Sequence, residues 1–340
     1  MKEYIIKKGD FFLKILKLPE NRIPEAINLA NRVFRKDGGD MGKDYPALFS
    51  PENAQNVLCI EEDGKIVSIF GLLFKDVQIF SARIKTSLVG SVCTDEQYRG
   101  RGYSTTLMNE AGKISKEKGA SLMLISGDNS VYRKFGAVDA GVYHAHFVDG
   151  ENSNVEYHEA TLDDLDNLMI FHAKDPVRFV RDRKTFKTMV ETSKADNMPA
   201  KIFVSDKAYV VITEGVVEKD SDNRYHCVEH GGCQIDVSNL VRAVANQMEP
   251  MVIHTTVADC TLNEIFKSEK SIRRRFIGTV KILDSKMFLN HLKPYLEELP
   301  YEIKALDDLG EMTKYVFGST EYEDSKSLQI PLPDYGLDYV

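Results

Sequence analysis

Residues 95–112, DEQYRGRGYSTTLMNEAG, place two arginines and two glycines in a turn that leads at once into an amphipathic helix. No other stretch of the chain restricts the fold as tightly. The helix reads from about 103 to 118, with Leu107, Ala111 and Ile114 on one face and Gly119 closing it. SLVGSVCT precedes the turn. ASLMLIS follows the helix and is nearly all apolar, as expected of a strand buried on both faces. At a helix start the first backbone N–H groups lack intrahelical partners and the dipole is positive, which suits a phosphate. Gly100 and Gly102 leave room for close backbone approach, and Arg99 and Arg101 add charge-assisted bonds. The stretch reads as a loop built to hold a pyrophosphate.

Three loop types hold one. A P-loop needs Lys–Ser/Thr after its second glycine, and none follows here. A dinucleotide fingerprint needs a third glycine where Thr105 stands, inside a parallel unit. Residues 56–94 instead read as antiparallel strands, with Asp63-Gly64 turning NVLCIEE into KIVSIFGLLF. What remains is Gln97-Tyr98-Arg99-Gly100-Arg101-Gly102 between an antiparallel strand and a helix.

That pattern resembles the acetyl-CoA pyrophosphate motif of the GCN5-related N-acetyltransferases (GNAT), and SVYRKFGA resembles their next motif, with Tyr132 on the tyrosine position. The resemblance covers roughly residues 10–150. It implies acetyl-CoA as cosubstrate, with contacts from Val92, Cys93, Thr94, Arg99, Gly100, Arg101, Gly102, Tyr103, Ser104 and Asn129. It also implies direct transfer to an amine. A backbone N–H near Val92 or Cys93 would hold the oxyanion, and Tyr132 would protonate the leaving thiolate. Cys93 reads as a small buried residue rather than a nucleophile.

The expected fold class is α/β: tandem GNAT folds with mixed, mostly antiparallel sheets and flanking helices. The expected units are a catalytic domain over 1–150, a degenerate second copy over 151–283 and a C-terminal helical segment with a tail over 284–340. In the second copy, strands at 155–160, 200–206, 208–214 and 226–232 precede a helix at 237–247, and Thr161 with Asp164 forms a capping box. VEHGGCQIDVSNL stands there in place of the phosphate loop, so no CoA is expected. The layout resembles Eis-like acetyltransferases lacking a full sterol-carrier-like domain. In those enzymes the chain terminus returns to the active site, and its carboxylate takes part in proton transfer. The tail LQIPLPDYGLDYV carries Leu328, Ile330, Leu332, Tyr335, Leu337 and Tyr339, too much apolar surface to leave in water. It is expected to dock on the first domain and bring the Val340 carboxylate to the acceptor pocket, an alternative being that it covers an apolar patch or crosses to another subunit.

Other readings are plainer. The net charge of −8 argues against a nucleic-acid partner. There is no apolar run of membrane-spanning length and no leader-like start. The five scattered cysteines suit a reduced, cytoplasmic protein. HCVEHGGC holds two His and two Cys, but alternate residues of a strand face opposite ways, so no metal is expected. The loop RKDGGDMGKDYP, 35–46, reads as too polar for the core, and KDGGDMGKDYP within it is the candidate acceptor loop; Arg273–Phe276 reads as a solvated basic face. The amine's identity, the general base and any homo-oligomer stay open. A non-catalytic acyl-CoA-binding or interaction module is the alternative from another class.

Overall fold

The structure, a computed structural model, describes residues 3–8, 11–214, 224–299, 303, 305–320 and 327–340. The first half supplies strands β1 (Glu3–Lys8), β2 (Phe11–Lys17), β3 (Val57–Glu62), β4 (Lys65–Ile79), β5 (Ala82–Thr94), β6 (Leu122–Ile125) and β7 (Val142–Val148). Its helices are α1 (Ile23–Phe34), α2 (Met41–Asp44), α3 (Tyr103–Glu117) and α4 (Ser130–Lys134). The second half supplies β8 (His158–Glu159), β9 (Val177–Phe179), β10 (Lys194–Ala195), β11 (Met198–Val204), β12 (Ala208–Glu214), β13 (Tyr225–Gly232), β14 (Met251–Thr255), β15 (Ser271–Arg275) and β16 (Thr279–Ile282). With them come α5 (Leu165–Lys174), α6 (Arg183–Thr192), α7 (Gln234–Gln247), α8 (Cys260–Ile265), α9 (Ser285–Leu296) and α10 (Leu309–Phe317).

These strands form two mixed, mostly antiparallel sheets. The first runs β1-β2-β3-β4-β5-β6-β16, with β9 also on β4. The second runs β10-β11-β12-β13-β14-β7-β15, with β8 on β11. Each has one parallel neighbour pair, β5–β6 and β13–β14. The α/β tandem fold expected from the sequence is therefore present, but the halves exchange strands. β7, which reads as the close of the first unit, lies between β14 and β15 in the second sheet. β16, which reads as the close of the second, pairs with β6 in the first. Residue 150 thus does not separate the two sheets. Side-chain alternation marks a strand without marking its partner, so the exchange has no local signature.

Several smaller expectations are corrected. The loop 35–46 holds the one-turn helix α2, capped by Asp40, and buries Met41 and Tyr45. The strand read at 155–160 shrinks to the exposed pair His158–Glu159. Arg273–Arg275 belong to β15, and Phe276 lies in the core. Other readings hold: α3 ends at Gly119 with φ +82°, and Thr161 with Asp164 forms the capping box. The linker read over 318–327 falls partly outside the described residues.

Leu107, Met108, Ala111 and Ile114 of α3 pack on Val89, Met123 and Ile125 of the first sheet. Its opposite face packs on α9, α10 and the tail, where Ile330, Leu332, Tyr335 and Val340 join one core with Leu88, Leu124 and Ile282. Among the described residues, no helix is long and apolar enough to cross a membrane.

Candidate active site

β5 and β6 pair in parallel only from Thr86↔Leu122 to Val89↔Ile125, then part. Just beyond, β5 shifts register against β4: Gly90 faces Gly71 and Cys93 faces Ile69, which leaves Ser91 and Val92 opposite Phe70 alone. Ser91 takes a left-handed φ of +51°, and its buried hydroxyl has no hydrogen bond among the described residues. A bulge of this kind turns backbone amides out of the ladder. It forms the floor of two adjoining clefts, which share Val92 and Asn129.

The first cleft is bounded by Thr94, Arg99, Gly100, Gly102 and the first turn of α3. Gly100 and Gly102 both have left-handed φ, +79° and +72°, as a turn into a helix start demands. A Cβ on Gly100 would meet nothing within 4 Å, so the loop presents open backbone to the cleft. Behind it, the Ser104 hydroxyl bonds Thr94 Oγ1 at 3.0 Å, and Thr94 bonds Ser68 at 2.8 Å. This tie fixes the helix start against β5. Arg99 is half exposed beside the cleft. Arg101 turns away: it pairs with Glu62 at 2.9 Å and lies over the Tyr98 ring.

The second cleft contains Tyr132, Ser126 and the chain terminus. Tyr132 is carried by α4, whose start is capped by the Asn129 side chain. Burial pushes its phenol up to about 12, so it stays protonated at neutral pH. Burial also pushes the Cys93 thiol up to about 12, which suits a packing residue and not a thiolate nucleophile. Val340 is buried, and its terminal oxygen accepts from Ser126 Oγ at 2.8 Å. A Cβ on Gly90 would lie 2.3 Å from the Val340 carbonyl carbon, so only glycine at that position admits the terminus.

Sequence reasoning missed what holds the tail there. Asp338 is fully buried and receives Arg181 at 2.6 Å and Lys75 at 2.5 Å. Arg181 also clasps Glu229 with both terminal nitrogens, at 2.6 and 2.8 Å, and Glu229 takes the Leu337 amide at 3.0 Å. The second half contributes a further piece, the β10–β11 hairpin. Its Asn197 accepts from Arg35 at 3.0 Å and from the Tyr45 hydroxyl, while Lys194 pairs with Asp44 at 2.8 Å. Asp196-Asn197 are both left-handed, a turn signal visible in the sequence, though not its target. Phe34, Met41, Tyr45 and Asn197 thus wall the second cleft.

The strand opening, the open backbone at the start of α3 and the chain terminus beside Tyr132 thus meet around Val92 and Asn129. Residues 14–138 match the acetyltransferase (GNAT) domain family. No curated protein matches the chain by sequence. By fold it is similar to a GCN5-related N-acetyltransferase from Kribbella flavida, at 14% identity and TM-score 0.59, over 81% of this chain and 72% of that one. A probable N-acyltransferase from Enterococcus faecalis superposes with TM-score 0.62 at 11% identity, over 82% and 74%. Eis1 from Mycobacterium abscessus does so with TM-score 0.57 at 13% identity, over 82% and 75%.

Proposed function

We propose that the protein is an acetyl-CoA-dependent N-acetyltransferase that moves the acetyl group directly to an amine of a small molecule or peptide. The observation that carries this is the meeting, at one strand opening, of the phosphate loop, the protonated Tyr132 and the terminal carboxylate of Val340. Open backbone at Gly100 and the unbonded hydroxyl of Ser91 fit a phosphate and a thioester carbonyl. Acetyl-CoA supplies the acetyl group as a thioester. The amides of Tyr103, Ser104 and Thr105 at the start of α3, with Arg99, hold the pyrophosphate. A bulge amide at Val92 or Cys93 holds the carbonyl oxygen as it gains charge. Tyr132 donates its proton to the departing sulfur. The Val340 carboxylate attracts a cationic amine and accepts one proton from it through water, which frees the nitrogen lone pair for attack; the second proton, shed as the amide forms, returns to the Tyr132 phenolate. Phe34, Met41, Tyr45 and Asn197 shape the acceptor side.

The direct test is CoA release with a panel of polyamines, aminoglycosides, amino acids and peptides. No turnover with any of them, beside tight acetyl-CoA binding, would favour a binding module instead. Gly100→Asp and Gly102→Asp each put a carboxylate where phosphates approach and force a side chain into a left-handed φ. Calorimetry should show acetyl-CoA binding at least about tenfold weaker, about 1.4 kcal/mol. Unchanged affinity in a folded variant would remove the phosphate site. Tyr132→Phe keeps the ring and loses the proton. It should lower kcat by about 10²-fold with acetyl-CoA affinity nearly constant; a kcat within a few-fold of the parent would leave Tyr132 as packing only.

A further inference from the structure

The second cleft of the first sheet adjoins a further pocket beside the tail. Tyr45, Asn197, Tyr339 and Val340 line the cleft, and the same four residues line this pocket of about 40 Å³. They form the rim between the two spaces. Tyr45 and Tyr339 stand with ring centroids 6.3 Å apart, and the Tyr45 hydroxyl donates to Asn197. Beyond the rim, the walls come from residues 44–48, from α6 and from the last four residues of the chain. A single water needs only about 10–15 Å³. The space therefore suits a short chain rather than a bulky group.

Most of this wall is apolar, and the polar groups on it are already satisfied. Pro46, Ala47, Leu48, Leu73, Met189 and Leu337 supply the apolar surface. Lys194 pairs with Asp44 at 2.8 Å, and Asp44 also takes Arg35 at 2.7 Å. Lys75 pairs with Asp338 at 2.5 Å, and Asp338 also takes Arg181 at 2.6 Å. The hydroxyls of Thr188 and Thr192 donate back to the Lys184 and Thr188 carbonyls of α6. Each side-chain charge on the wall thus has an opposite charge against it. A second ammonium or a carboxylate carried in here would leave water and find no unpaired side-chain charge among the described residues, which is costly. An alkyl or aryl group gains by the same move. The Val340 carboxylate stands at the rim, where the acetyl-transfer reading gives it to the reacting ammonium.

We propose that the acceptor is a primary amine with a short, uncharged apolar substituent, which crosses the Tyr45–Asn197 rim and seats against Leu48, Leu73, Met189 and Leu337 while its nitrogen meets Val340. The inference rests on the acetyl-transfer reading and narrows it. Alkylamines and small arylalkylamines fit the pocket. Polyamines and aminoglycosides, which carry further positive charges, do not. Specificity then comes from the second half of the chain as much as from the first, because α6 and the β10–β11 hairpin supply Met189 and Asn197.

The test measures CoA release by the full chain from acetyl-CoA with methylamine, n-butylamine and putrescine. Methylamine does not reach past the rim, and putrescine is the butyl chain with a second ammonium at its far end. Butylamine should exceed both in kcat/KM by at least about tenfold. Ala47→Phe, at a half-buried position of the wall, fills the pocket and should lower the butylamine-to-methylamine ratio by at least about tenfold. Turnover of all three amines without a preference for butylamine overturns the inference and leaves the acetyl-transfer reading standing. So does a butylamine preference that survives Ala47→Phe in a folded protein, or acetylation of other amines of the wider panel with none of these three. No turnover with any amine overturns the acetyl-transfer reading, and the inference with it.

Discussion

Appending residues after Val340 should lower kcat by about 10²-fold or more while leaving acetyl-CoA affinity and thermal stability close to the parent. The extension keeps Asp338, Leu337 and their buried partners, so the tail has every reason to stay docked. It moves the terminal charge, because the added residues carry the carboxylate away from Val340, whose carbonyl carbon lies against Gly90 at the edge of the cleft. Deleting Leu337–Val340 should lose at least as much activity, but it also removes Asp338 and so mixes catalysis with stability. Gly90→Ala gives an independent displacement: the added methyl occupies the site of the Val340 carbonyl carbon, 2.3 Å away. All three should lower kcat more than they raise the KM for acetyl-CoA, whose proposed phosphate contacts lie on the other side of Val92. Full activity in both the extended and the truncated protein, each folded, would reject a role for the terminus. It would leave the tail as a cover for the core that Ile330, Leu332 and Tyr335 complete.

The tail also shows how far local sequence reaches. Its six apolar and aromatic residues announce that it docks, and the strand periodicity and phosphate loop announce the sheet that it docks on. The partners that fix it are Lys75, Arg181 and Glu229, spread over more than 150 positions and each an ordinary charged residue in its own neighbourhood. The same reasoning covers the exchanged strands: VYHAHFV and TVKI look like strands in isolation, and their partners are set by the sheets they complete. α6 and β9 escaped because β9 is three residues long, too short for alternation to register. Loop 35–46 misled for another reason. Its composition is that of a turn, yet Met41 and Tyr45 point inward beneath the hairpin at Asn197, a contact 152 residues away from Tyr45. By contrast Gly100, Gly102, Asn129 and Tyr132 were legible because helix starts and caps are written within a few residues.

Asp338→Asn should destabilise the protein by roughly 3–5 kcal/mol, the usual cost of removing one member of a buried ion pair. Lys75 and Arg181 are both nearly fully buried and share Asp338, so the loss leaves a positive charge that Glu229 alone cannot balance. Arg181→Met should cost a similar amount by stranding Glu229 and Asp338. The double variant should cost less than the sum, because the second change removes the charge that the first left unpaired. Chemical unfolding of the four proteins measures this cycle, and additive losses would show that the two side chains act separately. The acid response carries a sign. Burial alone would raise Glu229, but Arg181 overrides it and holds the carboxyl down at about 2. Burial holds the neighbouring His172 down at about 4. Both groups bind protons more readily when unfolded. Stability is therefore full above pH ~6.5, falls between ~6.5 and 4 through His172, and falls again from ~4.3 towards 2 through Glu229. His172→Gln, which keeps polar groups near Tyr209 and the Phe179 carbonyl, should flatten the first part of that fall, and an unaltered pH profile would mean that His172 is not neutral in the fold. Activity adds a second reading of the clamp. If Arg181 and Lys75 set where the chain ends, Asp338→Asn should lose kcat at temperatures where it is still fully folded, whereas a purely structural pair would leave kcat at its parental value there.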